Sequence, residues 1–140
     1  MKMSYVKRFK TINYASVRRE AQLLNTAASY GIAPEVYDTD HKTYIEMEDL
    51  YEMNVGDKYG NDISGIPKHV LAGMFSILWF LYHVCDIEYI DVWPRNFIEV
   101  KKRVYIVDFG HATKKTGRCN PYLKRILDSG RITHWNPDVV

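Results

Sequence analysis

The spacing of apolar positions changes several times along the chain, and each change marks an element. Residues 4–10, Ser-Tyr-Val-Lys-Arg-Phe-Lys, alternate and are rich in β-formers, which predicts a strand. The period then becomes helical: Val17, Ala21, Leu24 and Ala28 share one face, Ser16 stands at the N-cap position and Gly31 lies just past the end. Pro34 prevents continuation. Residues 35–38 and 43–47 read as two short strands across a turn. Residues 54–65 hold three Gly, two Asn, two Asp and a Ser, a density of turn formers that predicts a loop. Pro67 suits the first turn of a second helix, 68 to about 84, apolar on most faces and therefore expected at the centre of the fold. Trp79 and His83 are expected in its core, His83 with a hydrogen-bond partner. Two strands, near 97–100 and 104–107, follow around the basic turn Lys101-Lys102-Arg103, then a short helix over 122–127 and an irregular tail over 133–140.

Composition refines this picture. With 140 residues, 46% of them hydrophobic, the chain suits one folded α+β domain. No secretory signal is recognisable at its start, and the apolar run 70–84 is short of the ~20 residues a membrane span needs, so an intracellular (cytoplasmic), non-membrane protein is expected. Cys85 and Cys119 form no C-x-x-C pair, and the five His show no metal-ligand spacing. Charge is uneven: six bases and no acid up to Arg19, fourteen acids against four bases from Glu20 to Glu99, and eight bases against Asp108 alone from Lys101 to Arg125. Basic flanks can attract a polyanion such as ATP or RNA, although such clusters are commonly solvated faces.

The candidate chemistry lies in Tyr89-Ile-Asp91-Val-Trp-Pro94-Arg95-Asn96, just before a predicted strand, and in Val107-Asp108-Phe-Gly110, just after the next. A hairpin between them brings Asp91, Asn96 and Asp108 to one end. Hard Mg²⁺ takes carboxylate and amide oxygens, and phosphoryl transfer needs a separate carboxylate to orient the attacking group. Asn96 and Asp108 are thus candidate metal ligands and Asp91 a candidate base. Taken singly, each is equally a turn residue; the order and spacing of the set favour chemistry.

These motifs resemble the protein-kinase superfamily. Within it the chain is most similar to the small atypical kinase of the tRNA threonylcarbamoyladenosine (KEOPS) complex, through Arg-Arg-Glu20-Ala-x-Leu-Leu, Gly31-Ile-Ala-Pro34-x-Val-Tyr-Asp38 and Ile45-x-Met47-Glu48. The similarity runs from about Ser4 to Ala112. It implies a minimal two-lobe fold: a reduced N-lobe over 1–50, a hinge over 51–66 and a reduced C-lobe over 67–140. It implies Lys7 as the phosphate-binding strand lysine, Glu20 as its helix partner, Met47 as gatekeeper, and Glu48 and Leu50 as backbone contacts to the adenine of ATP.

The chain departs from that pattern in three places. Six residues precede Lys7 and none is Gly, so the glycine-rich loop and the first two strands are expected to be missing. Tyr89-Ile90 replaces the His or Arg before the catalytic Asp, and Trp93 replaces a lysine, with Arg95 as the substitute cation. No Ala-Pro-Glu follows Gly110. Three functions are compatible with this sequence: a phosphotransferase using ATP and Mg²⁺ on a protein hydroxyl or on water, a pseudokinase engaging a partner protein, and an RNA-associated module.

Overall fold

The computed structural model describes residues 3–10 and 14–139. Strand β1 (Ser4–Arg8), helix α1 (Tyr14–Ser29), β2 (Val36–Thr39) and β3 (Tyr44–Glu48) build an antiparallel sheet of order β1-β3-β2 with one helix, as the pattern predicts. Helix α1 begins two residues before Ser16, which therefore lies in the first turn and is not the cap; the capping position falls outside the described residues. Its apolar face buries Val17, Ala21 and Leu24, and Gly31, at φ 76°, ends it in the left-handed conformation that glycine adopts without strain.

The expected loop over 54–65 is partly helical. Asn54 caps the short helix α2 (Val55–Tyr59) by accepting from the Asp57 N–H, and Asp62 caps a 3₁₀ turn, Ile63–Gly65, by accepting from the Ser64 N–H. The polar residues that read as turn formers act here as caps, which is the same hydrogen-bonding capacity used at a helix start.

Helix α3 (Lys68–His83) lies against β6 (Arg103–Ile106), which forms a hairpin with β5 (Phe97–Val100). Gly73 permits the close approach: a Cβ there would sit 2.8 Å from Cγ2 of Val104. Lys101 and Lys102 both take positive φ, 50° and 68°, so the hairpin turn is these two residues and Arg103 belongs to the strand. The helix buries Val70, Met74, Ile77, Leu78 and Leu81, but it is not enclosed. Trp79 is 46% exposed and His83 is exposed, its ring tilted against Trp79 and edge-on to Tyr82. The expectation that both lie in the core is wrong, because no described element covers the stripe on which they fall.

Beyond β6, the short strand β7 (Thr113–Lys114) pairs with β4 (Ile87–Glu88), a ladder that periodicity did not reveal. Helix α4 (Pro121–Ser129) is capped by the Asn120 side chain. Buried apolar residues from Val17 to Ile132 form one contiguous cluster, so both halves of the chain share a core. Among the described residues no helix is long and apolar enough to cross a membrane.

Candidate functional site

The site starts from the register of β1 on β3. Tyr5 faces Met47 and Lys7 faces Ile45, and directly opposed residues of an antiparallel pair project from the same side of the sheet. Met47 and Ile45 are buried, so Lys7 is directed toward the apolar side. A lysine can lie there if its stem packs and its ammonium finds anions. It finds two: Nζ lies 2.6 Å from Oε2 of Glu20 on α1 and 3.1 Å from Oδ1 of Asp108.

This cluster lines a cleft of ≈560 Å³, within the range of small-molecule sites. Met47, Glu48, Leu50, Arg95 and Asn96 line it too. Eight of the nine candidate residues are therefore gathered in one place. Among the described residues no hydrogen bond engages the Leu50 N–H. Asn54 and Asp57 also line the cleft, brought alongside β5 by a bridge between Asn54 and Ile98. Nothing in the sequence pattern distinguished them from turn residues.

Asp91 is the exception. It is 5% exposed and does not line the cleft; its Oδ1 is held 3.1 Å from Nη2 of Arg95, which does. Its backbone carbonyl accepts from Nδ2 of Asn96 at 2.8 Å. The Asn96 amide is thereby oriented, with its nitrogen committed to the Asp91 loop and its oxygen the end left for a ligand.

Asp108 takes positive φ, 63°, a conformation that aspartate tolerates better than most residues. Three contacts hold it. The Gly110 N–H donates to its Oδ1, Lys7 pairs with the same oxygen, and the buried Tyr89 hydroxyl is shared between the carbonyls of Val107 and Asp108, 2.8 Å from each. Tyr89 also packs edge-on against Phe109 at 5.4 Å. It is the residue whose role sequence reasoning missed: the substitution noted before Asp91 supplies the brace for the Asp108 turn.

Electrostatics follow from burial. Burial works against the charge of Lys7, but Glu20 and Asp108 outweigh it and hold its pKa above the usual lysine value. Burial pushes the Glu20 carboxyl up, with Lys7 only partly offsetting it. For Asp108 burial is outweighed by the Lys7 charge and the Gly110 N–H, and its pKa is lowered.

Among the described residues no group of three or more His, Cys, Asp or Glu can hold a metal ion. Asn96 and Asp108 form a smaller set, one amide oxygen and one carboxylate, and both line the cleft. That set fits Mg²⁺, which keeps several waters and takes few protein ligands. The eight basic residues from Lys101 to Arg125 are all exposed, and none lines the cleft. The chain matches no protein-family model, and no curated protein matches it.

Proposed function

We propose that this chain is a minimal kinase-like phosphotransferase that uses ATP and Mg²⁺ to phosphorylate a protein hydroxyl, or water at the same site. The observation that carries the proposal is the Lys7 ammonium held at once by Glu20, 13 residues away, and Asp108, 101 residues away, inside a cleft that also contains Asn96 and Arg95. A surface ion pair needs no such convergence. A cation restrained by one buried carboxylate and adjacent to a second suits a polyphosphate that must be both neutralised and aligned.

Bound Mg-ATP supplies the transferable phosphoryl group and a divalent charge that neutralises it. In this reading Lys7 exchanges Asp108 for phosphate oxygens while Glu20 keeps it in place. Asn96 and Asp108 hold the metal, the backbone around Glu48 and Leu50 receives adenine beside Met47, and Asp91 accepts the proton of the attacking hydroxyl. Arg95, paired with Asp91 and on the cleft wall, moves to the phosphate as it arrives. The test is transfer from labelled ATP with Mg²⁺, alone and with cell extract, for the chain and for Asp91→Ala and Asp108→Ala. Mg-dependent transfer lost in both variants supports the reading; no Mg-dependent nucleotide binding and no transfer overturn it.

One observation favours a second reading, a pseudokinase that binds nucleotide without turnover and acts through a protein partner. Asp91 is buried, paired with Arg95 and outside the cleft lining. Mg-dependent ATP binding without transfer, unaffected by Asp91→Ala, is the result that reading expects.

A further inference from the structure

Residues 133–139 have no regular secondary structure, yet Asn136 is 0% exposed and Val139 8%. Full burial of an amide side chain requires that its polar atoms be satisfied, and the partners of Asn136 are concentrated on one short segment. Its Nδ2 donates to the Ile90 carbonyl at 2.9 Å, and its backbone N–H donates to the Val92 carbonyl at 3.4 Å. Its own carbonyl accepts from the Trp93 indole at 2.9 Å. Its Oδ1 accepts from the Asp138 N–H at 3.0 Å, which closes the tail around it.

We propose that the C-terminal segment is a strap that sets the Asp91 loop, with Asn136 as its positioning residue. The proposal rests on the phosphotransfer reading only for what Asp91 does once positioned. Asn136 holds the carbonyls of both residues adjacent to Asp91, Ile90 on one side and Val92 on the other. The other bonds of the loop are local: Val92 N–H to the Ile90 carbonyl, Trp93 N–H to the Asp91 carbonyl, and the Asn96 and Arg95 side chains to the Asp91 carbonyl and carboxylate, so Asn136 is the contact that ties it to a distant segment. The strap is itself anchored at two further points. The Tyr122 hydroxyl donates to the His134 carbonyl at 2.7 Å, and the Trp135 indole donates to the Asn61 carbonyl at 2.6 Å. Trp93 and Trp135 lie 6.4 Å apart, so the same segment reaches from the Asp91 loop to the turn after α2, whose Asp57 lines the cleft.

The experiment compares Asn136→Ala and Trp135→Phe with the unaltered chain for ATP affinity, kcat and melting. Loss of loop positioning lowers kcat on the order of tenfold to a hundredfold in Asn136→Ala while ATP affinity stays within about twofold, because the Lys7 cluster is untouched. Trp135→Phe keeps an aromatic side chain, though a smaller one, and removes the indole N–H anchor to Asn61, so it gives a smaller loss of the same kind. Unchanged kcat in folded Asn136→Ala overturns the proposal, and so does an equal fall of affinity and kcat in Trp135→Phe, the variant that decides if Asn136→Ala does not fold.

If the unaltered chain shows no turnover, it is the phosphotransfer reading that fails, and the strap is judged by NMR on Trp135→Phe. Shifts confined to the Trp93 indole and the Arg95 and Asn96 side chains support it. Shifts that miss these groups, or that spread equally to Lys7 and Met47, overturn it.

Discussion

Nζ of Lys7 lies 2.6 Å from Oε2 of Glu20, a carboxylate that is 3% exposed. Removing the cation leaves a buried charge without its partner, which costs more than the net worth of the pair. Lys7→Met is expected to lose about 1–3 kcal/mol of stability and to abolish ATP binding. Glu20→Gln in the same chain recovers most of the stability and none of the binding. Denaturant melts of the two single variants and the double variant, read as a cycle, check this.

Gly110 is a close-approach position. A Cβ there would lie 3.2 Å from Oδ1 of Asp108 and 3.3 Å from Oε1 of Glu20. Gly110→Ala therefore presses on both carboxylates that hold Lys7. Nucleotide affinity is expected to fall on the order of tenfold, with a stability change of about 1 kcal/mol or less, since the displaced oxygens line an open cleft. Titration calorimetry beside a thermal melt separates the two effects.

Tyr89→Phe keeps the ring against Phe109 and deletes only the hydroxyl shared between the Val107 and Asp108 carbonyls. The expected cost is about 1–2 kcal/mol. Local opening concentrates at the turn, so amide hydrogen exchange at Phe109 and Gly110 accelerates more than in α3. Uniform acceleration across the chain would contradict the role given to Tyr89.

Acid sensitivity has a separate origin. Glu99 accepts from the Tyr59 hydroxyl, from His69 at 2.8 Å and from Lys58 at 3.2 Å, joining α2, α3 and β5. The Tyr59 and His69 hydrogen bonds, more than its opposing burial, hold its pKa at about 2 against an ordinary 4.5. A carboxylate with a depressed folded-state pKa contributes stability that is present above pH 4.5 and is lost as pH falls toward 2. Glu99→Gln is thus expected to be less stable than the unaltered chain at pH 7 and to show a shallower decline between pH 4.5 and 2, measured by denaturant melts across that range.

Much of the framework was legible in the residues. Alternation located β1, β2 and β3 to within a residue or two, helical spacing located α1 and α3, and the two lysines at 101 and 102 lie at the turn between β5 and β6. Local patterns fail where an outcome depends on what lies opposite. Helix α3 is apolar on most faces, but Trp79 and His83 remain at the surface because no described neighbour covers them. The 133–139 segment looks irregular and is irregular, while its burial comes from partners some 43 to 46 residues away.

For the candidate site, the sequence by itself determined which residue types are available and on which elements they fall: a strand lysine, a helix glutamate, and Asp91, Asn96 and Asp108 around a hairpin. The pairing of Lys7 with Glu20 was implied by the family resemblance; only the tertiary structure decided that Asp108 joins that pair, that Tyr89 braces the Asp108 turn, and that Asp91 sits behind Arg95. The reason is physical. Periodicity specifies the face of an element on which a side chain lies, because it follows from 3.6 or 2 residues per repeat. The contacts between faces are selected by packing of the whole core, over separations as large as the 101 residues between Lys7 and Asp108.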